Sequence, residues 1–168
     1  MRFVRWVASS YLNKLTLTSR SSDPEYLIAL QYLESILAKL KPSGELSTYR
    51  CDIDDELKLV AIARSIDSPK QQPFNYIQIT DIGLSNSGLR FRNSPQDSDF
   101  RIPRARALHY TVFLSTTQAT IFLDCLLEEW RASGRTDLVQ GFGVPDLKRM
   151  AKVDPYKQHV DATHWLRK

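Results

Sequence analysis

The spacing of apolar residues changes period twice along this chain, and that narrows the fold more than any other feature. Between Asp23 and Leu40 the positions Tyr26, Leu27, Leu30, Leu33, Ile36, Leu37 and Leu40 recur at steps of three and four, the mark of one helical face. Asp23 can cap the first turn ahead of Pro24, Ser22 and Glu25 offer an alternative capping box, and Pro42-Ser43-Gly44 closes the far end. The period then falls toward two in the runs Leu46–Ile53, Leu57–Ile66, Phe74–Thr80, Gly88–Asn93 and Ala107–Leu114, which are rich in Val, Ile, Tyr and Phe. A second helical stripe begins near Thr116 and comprises Ala119, Phe122, Leu123, Leu126, Leu127 and Trp130. Ser115 and Gln118 stand at capping-box spacing before it, and Arg131 and Gly134 mark its end.

About five strands flanked by two main amphipathic helices predict an α+β fold with an antiparallel sheet. The connections Asp52–Glu56 and Asp81–Ser87 are too short for crossover helices, so neighbouring strands are expected to pair as hairpins or a meander. Near the N-terminus, Val4, Val7, Tyr11, Leu12 and Leu15 have helical spacing, whereas Phe3 and Trp6 also suit a short strand. After Gly143, Val144-Pro145-Asp146 leads into a short helix over Leu147–Val153, and residues 154–168 read as an irregular tail on a single compact domain of residues 1–153.

Composition agrees with one core. The chain has 168 residues, 42% of them apolar, with three Trp, seven Tyr and seven Phe. Its mean hydropathy is −0.34, and no apolar run approaches the ~20 residues of a bilayer span. Arg2 and Arg5 interrupt the first apolar residues, unlike the order of a secretory signal, and Cys51 and Cys125 are the only cysteines. A cytoplasmic protein without membrane contact is the expectation.

Charge is unevenly placed. Residues 1–88 balance ten Lys/Arg against ten Asp/Glu, whereas residues 89–168 carry thirteen against nine, so the whole net charge of +4 lies in the second half. Five of those cations, Arg90, Arg92, Arg101, Arg104 and Arg106, fall between Leu89 and Arg106 with Phe91 and Phe100 among them and only Asp97 and Asp99 opposing. Arginine beside aromatic rings suits nucleic acid or an acidic protein surface, with Phe91, Phe100 or Tyr110 as candidate stacking platforms. The irregular segments Asp67–Pro73 and Asn93–Arg106 are the loops most suited to function, the second being the expected binding surface.

Catalytic signatures stop short of a match. Asp52, Asp54, Asp55 and Glu56 offer carboxylates to a hard divalent cation, and Glu56-Leu57-Lys58 resembles half of a restriction-type nuclease motif, but the apolar run follows it instead of preceding it. Acidic residues at a turn are ordinarily solvated turn formers. His159, Asp161 and His164 lie close in sequence at steps that share no helical face, and His109 stands alone in an apolar strand. Gly83 and Gly88 have P-loop spacing but continue into Leu89-Arg90, Gly141 and Gly143 form a lone G-x-G around Phe142, and Cys51 has no histidine placed beside it.

No cofactor is expected. The sequence therefore points to a binding or accessory subunit whose basic segment meets nucleic acid or an acidic partner. A second reading is a protein-interaction component of a larger assembly that docks through an aromatic tail with Tyr156 and Trp165, or through the Phe142 region. A metal-dependent nuclease or phosphodiesterase is the third.

Overall fold

The computed structural model describes residues 1–7, 44–115, 118–132 and 139–168. Its strands are β1 (Arg2–Val7), β2 (Glu45–Arg50), β3 (Phe74–Thr80), β4 (Arg90–Asn93), β5 (His109–Phe113) and β6 (Gln140–Phe142). They form one six-stranded sheet in the order β4-β5-β2-β1-β3-β6, with every pairing antiparallel. The class is α+β, with six strands where the sequence suggested about five. The simple meander is corrected: β1 lies between β2 and β3, and β2 lies between β1 and β5.

The described helices are α1 (Asp54–Ile66), α2 (Asp81–Asn86), α3 (Pro103–Ala107), α4 (Gln118–Ala132) and α5 (Val144–Met150). Helix α1 occupies the run Leu57–Ile66 that reads as a strand. Its start is fixed by Glu56, whose carboxylate accepts from the N–H groups of Asp52 and Ile53, and Asp54 and Asp55 add negative charge at the positive end of the helix dipole. Leu57, Leu59, Val60, Ala61, Ile62 and Ala63 are all buried, so a helix covered on nearly every side has no polar face to reveal its period. The presumed turn Asp81–Ser87 is helix α2, capped by the Thr80 hydroxyl accepting from Gly83 N–H and closed at Gly88, whose φ of +68° suits glycine.

The central strands β1 and β3 bury side chains toward both faces of the sheet. One core joins Phe3, Ile77, Ile79 and Val112 of the sheet to Leu84 of α2 and Phe122, Cys125 and Leu126 of α4. The other joins Val4, Phe74 and Tyr76 to α1, α3, Leu147 of α5 and the C-terminal segment. That segment is a series of turns with one 3-10 turn at Lys157–His159, and it buries Tyr156, Val160 and Leu166.

The helix expected over Asp23–Leu40, with its cap and Pro42-Ser43-Gly44 end, lies outside the described residues except for Gly44. Tyr11, Leu12, Leu15, Thr116, Gly134 and the side chains of Ala119, Leu123, Leu127, Trp130 and Arg131 also lie outside them. Among the described residues, no helix is long and apolar enough to cross a membrane.

Candidate functional site

Strand β4 is an edge of the sheet, and its register decides what its arginines stand beside. Arg90 pairs with Phe113 and Arg92 with Thr111, while Phe91 pairs with Val112. Alternation along the strands therefore sets Arg90, Arg92, Phe113 and Thr111 on one face and Phe91 on the other. The Arg92 guanidinium carbon lies 5.3 Å from the Phe113 ring centroid, within cation–π range.

The same face continues across the sheet. On β2, Glu45 stands opposite Phe113 and Ser47 opposite Thr111. Continuing the β1–β2 register from Val4↔Tyr49 brings Trp6 alongside Ser47. Arg64 of α1 reaches over Trp6, its guanidinium carbon 4.2 Å from the ring centroid. Arg90, Arg92 and Ser47 are exposed, and Trp6, Glu45, Arg64 and Phe113 are partly so.

No carboxylate pairs with Arg64, Arg90 or Arg92 among the described residues. Arg64 Nε is shielded from water and has no hydrogen-bond partner. Among the described residues around this strip of sheet, the guanidinium groups of Arg64, Arg90 and Arg92 stand against the carboxylate of Glu45, with Asp99 in electrostatic range of the neighbouring Tyr49, so positive charge predominates beside the two aromatic rings.

The structure divides the basic segment that the sequence presents as one. Arg101 pairs with Asp67 at 3.2 Å, Arg106 Nε donates to the Phe100 carbonyl, and Arg104 lines a cavity of about 330 Å³ with Asp55, Tyr156 and His159. An adjoining cavity of about 280 Å³ is lined by Arg101, His159, Asp161 and His164, and the two share Ile102, Pro103 and His159. Asn93–Arg106 is also less irregular than expected, because Pro95–Asp97 forms a 3-10 turn and Pro103 begins α3.

The aromatic platforms need correction too. Phe100 is 4% exposed and stacks on Tyr49 at 4.7 Å between ring centroids, so it is a core residue. Phe91 and Tyr110 both pack on Phe3, at 5.0 and 5.3 Å, on the face away from Arg92. Trp165 is partly buried and donates from Nε1 to the Ser68 carbonyl at 3.1 Å. The rings that accompany free arginines are Phe113 and Trp6, neither singled out by sequence. Only the strand register, which pairs Arg90 with Phe113 across twenty-two intervening positions, brings them into view.

The remaining chemistry-bearing residues are used internally. Asp52 accepts from Arg50 and from Arg2 N–H, Asp54 pairs with Arg2, Asp55 with Lys58 and the Tyr156 hydroxyl, and Glu56 caps α1. This is helix-starting chemistry, with Lys58 turned toward Asp55, not an E-x-K centre. No group of three or more metal-ligating side chains converges among the described residues. His109 is fully buried, its Nδ1 between the Ser94 hydroxyl and carbonyl, and Ser94 Oγ contacts Thr111 Oγ1 at 2.7 Å. Burial pushes the Cys51 thiol up to about 12, far from a thiolate at neutral pH. A Cβ at Gly83 would collide with Glu129 and Cys125 of α4, so that glycine permits the close approach of α2 and α4. Gly141 belongs to β6, and Gly143 is the N-cap of α5.

No family model matches the chain, and no curated protein and no solved structure matches it either.

Proposed function

We propose that this protein is a non-catalytic binding or accessory subunit that takes up nucleic acid on the open strip of its sheet around β4. The observation that carries this reading is Arg92 held over Phe113 beside Arg90, both arginines exposed and without an ion-paired carboxylate among the described residues. Arginines in that setting neutralise phosphates, and an adjoining ring gives a base a surface to lie on. The Arg101, Arg104 and Arg106 part of the earlier expectation is secondary, because Arg101 and Arg106 already have internal partners.

The test is fluorescence anisotropy with labelled single-stranded and duplex oligonucleotides at low salt, on the wild type and an Arg90→Gln/Arg92→Gln protein with an unchanged far-UV spectrum. Binding weakened at least tenfold in the double variant is the expected result. Binding that ignores both substitutions, or no binding of any oligonucleotide, would overturn the proposal. A stoichiometric protein partner, retained by wild type and lost by the double variant in the absence of nucleic acid, would establish the acidic-partner reading instead.

A further inference from the structure

Resting on that reading, we infer that the nucleic acid is single-stranded and that Arg64 on Trp6 is its second anchor, reached across β5 and β2 from Arg92 on Phe113. Two independent features of Arg64 lead here. Its guanidinium is held on the indole at 4.2 Å, and it is partly desolvated, with a shielded Nε that meets no acceptor and, among the described residues, no ion-paired carboxylate. A cation in that state gains by meeting an anion at its terminal nitrogens, since the desolvation cost is already met in the folded protein. Phosphate satisfies the requirement, and a guanidinium stacked on an indole also offers a plane on which a base can rest.

The spacing selects the strandedness. Phe113 and Trp6 share a sheet face, lie two strands apart and are offset by two residues along the strands. At ~4.8 Å per strand and ~3.4 Å per residue the two rings are about 12 Å apart. Neighbouring bases in a duplex rise only ~3.4 Å per step and keep their faces stacked on one another. Bases that engage both rings must be unstacked and separated by intervening nucleotides, which a single strand permits and a duplex resists. Between the two anchors Ser47 is exposed and Thr111 is buried against Ser94, and Glu45 beside Phe113 keeps one end of the path acidic.

The experiment compares an oligothymidylate, the matching oligouridylate and a duplex of equal length on the full chain. Proteins carried through are wild type, Arg64→Gln, Arg64→Lys and Arg90→Gln/Arg92→Gln. The single strands are expected to bind at least tenfold tighter than the duplex. Arg64→Gln is expected to lose about tenfold on the single strands and little on the duplex, with Arg64→Lys in between because it keeps the charge without the plane. Ultraviolet crosslinking, read by mass spectrometry, is expected to attach oligothymidylate to the peptides containing Trp6 and Phe113. Duplex binding equal to or tighter than single-strand binding would overturn the inference. So would an Arg64→Gln protein that binds like wild type while Arg90→Gln/Arg92→Gln is impaired, and that result would leave the binding reading standing. Failure of every oligonucleotide to bind would remove both.

Discussion

Burial decides the behaviour of the two cysteines. Cys51 is fully buried and its thiol is pushed up to about 12, and Cys125 is buried at 5% exposure with its thiol raised for the same reason. Native protein at about pH 8 is therefore expected to resist iodoacetamide for hours, while both thiols label within minutes in denaturant. Mass spectrometry of the modified chain checks this, and rapid native labelling of Cys51 would show that its surroundings open. Asp52 behaves oppositely. Its hydrogen bond from Arg50, with that from Arg2 N–H, holds the carboxyl below its ordinary 3.8. A depressed folded value means that the pair stabilises fully above pH 3.8 and that its contribution fades as pH falls through the lower folded value. Asp52→Asn is expected to lower the urea midpoint at about pH 6 and to match wild type more closely at about pH 2.5. An equal deficit at both values would show that the effect is not electrostatic.

At the scale of elements, legibility followed the number of sides on which each one is buried. Phe74–Thr80 was readable to its ends because strand burial there keeps its β-rich composition between clear breakers. Helix α1 was not, because apolar residues from Leu57 through Ala63 leave only Lys58 to betray a period, and β-branched Val60 and Ile62 favour a strand when read locally. Tertiary packing on the sheet, α3 and the C-terminal segment outweighs that local preference. The basic character around β4 was legible from composition, but Phe113 and Trp6 were not, since their roles depend on pairings between distant strands. The C-terminal segment teaches the same point: its turns look dispensable in sequence, yet Leu166 is fully buried and Tyr156 is 4% exposed. Leu166→Ala is expected to cost about 2–4 kcal/mol in denaturant unfolding, by lost transfer energy plus a cavity. Removal of residues 154–168 is expected to unfold or strongly destabilise the chain. A truncated protein with wild-type stability would instead show that the segment carrying Trp165 is not needed for the fold and is free to serve docking in the full chain.

For the whole molecule, the issue is whether a net charge of only +4 can support binding to a polyanion. Net charge governs long-range attraction, but affinity follows the number of phosphates contacted. Arg64, Arg90 and Arg92 form no ion pair among the described residues, while many remaining charges are paired elsewhere, as Arg2 is with Asp54, Arg50 with Asp52 and Arg101 with Asp67. The molecule thus concentrates unpaired charge that its average conceals. With about three phosphates neutralised, single-strand affinity should fall with a logarithmic salt slope near −2, a loss of about ten- to twentyfold between roughly 50 and 200 mM salt. Arg64→Gln should flatten that slope by about 0.7, and Arg90→Gln/Arg92→Gln by about twice as much, because each arginine removed releases one fewer set of counterions. The measurement is a titration of oligothymidylate at four salt concentrations for each protein. A slope steeper than about −4 would require further basic residues in the interface, Arg101, Arg104 and Arg106 being the next after Arg92 in sequence. A slope that none of these substitutions changes would place the contact elsewhere on the molecule.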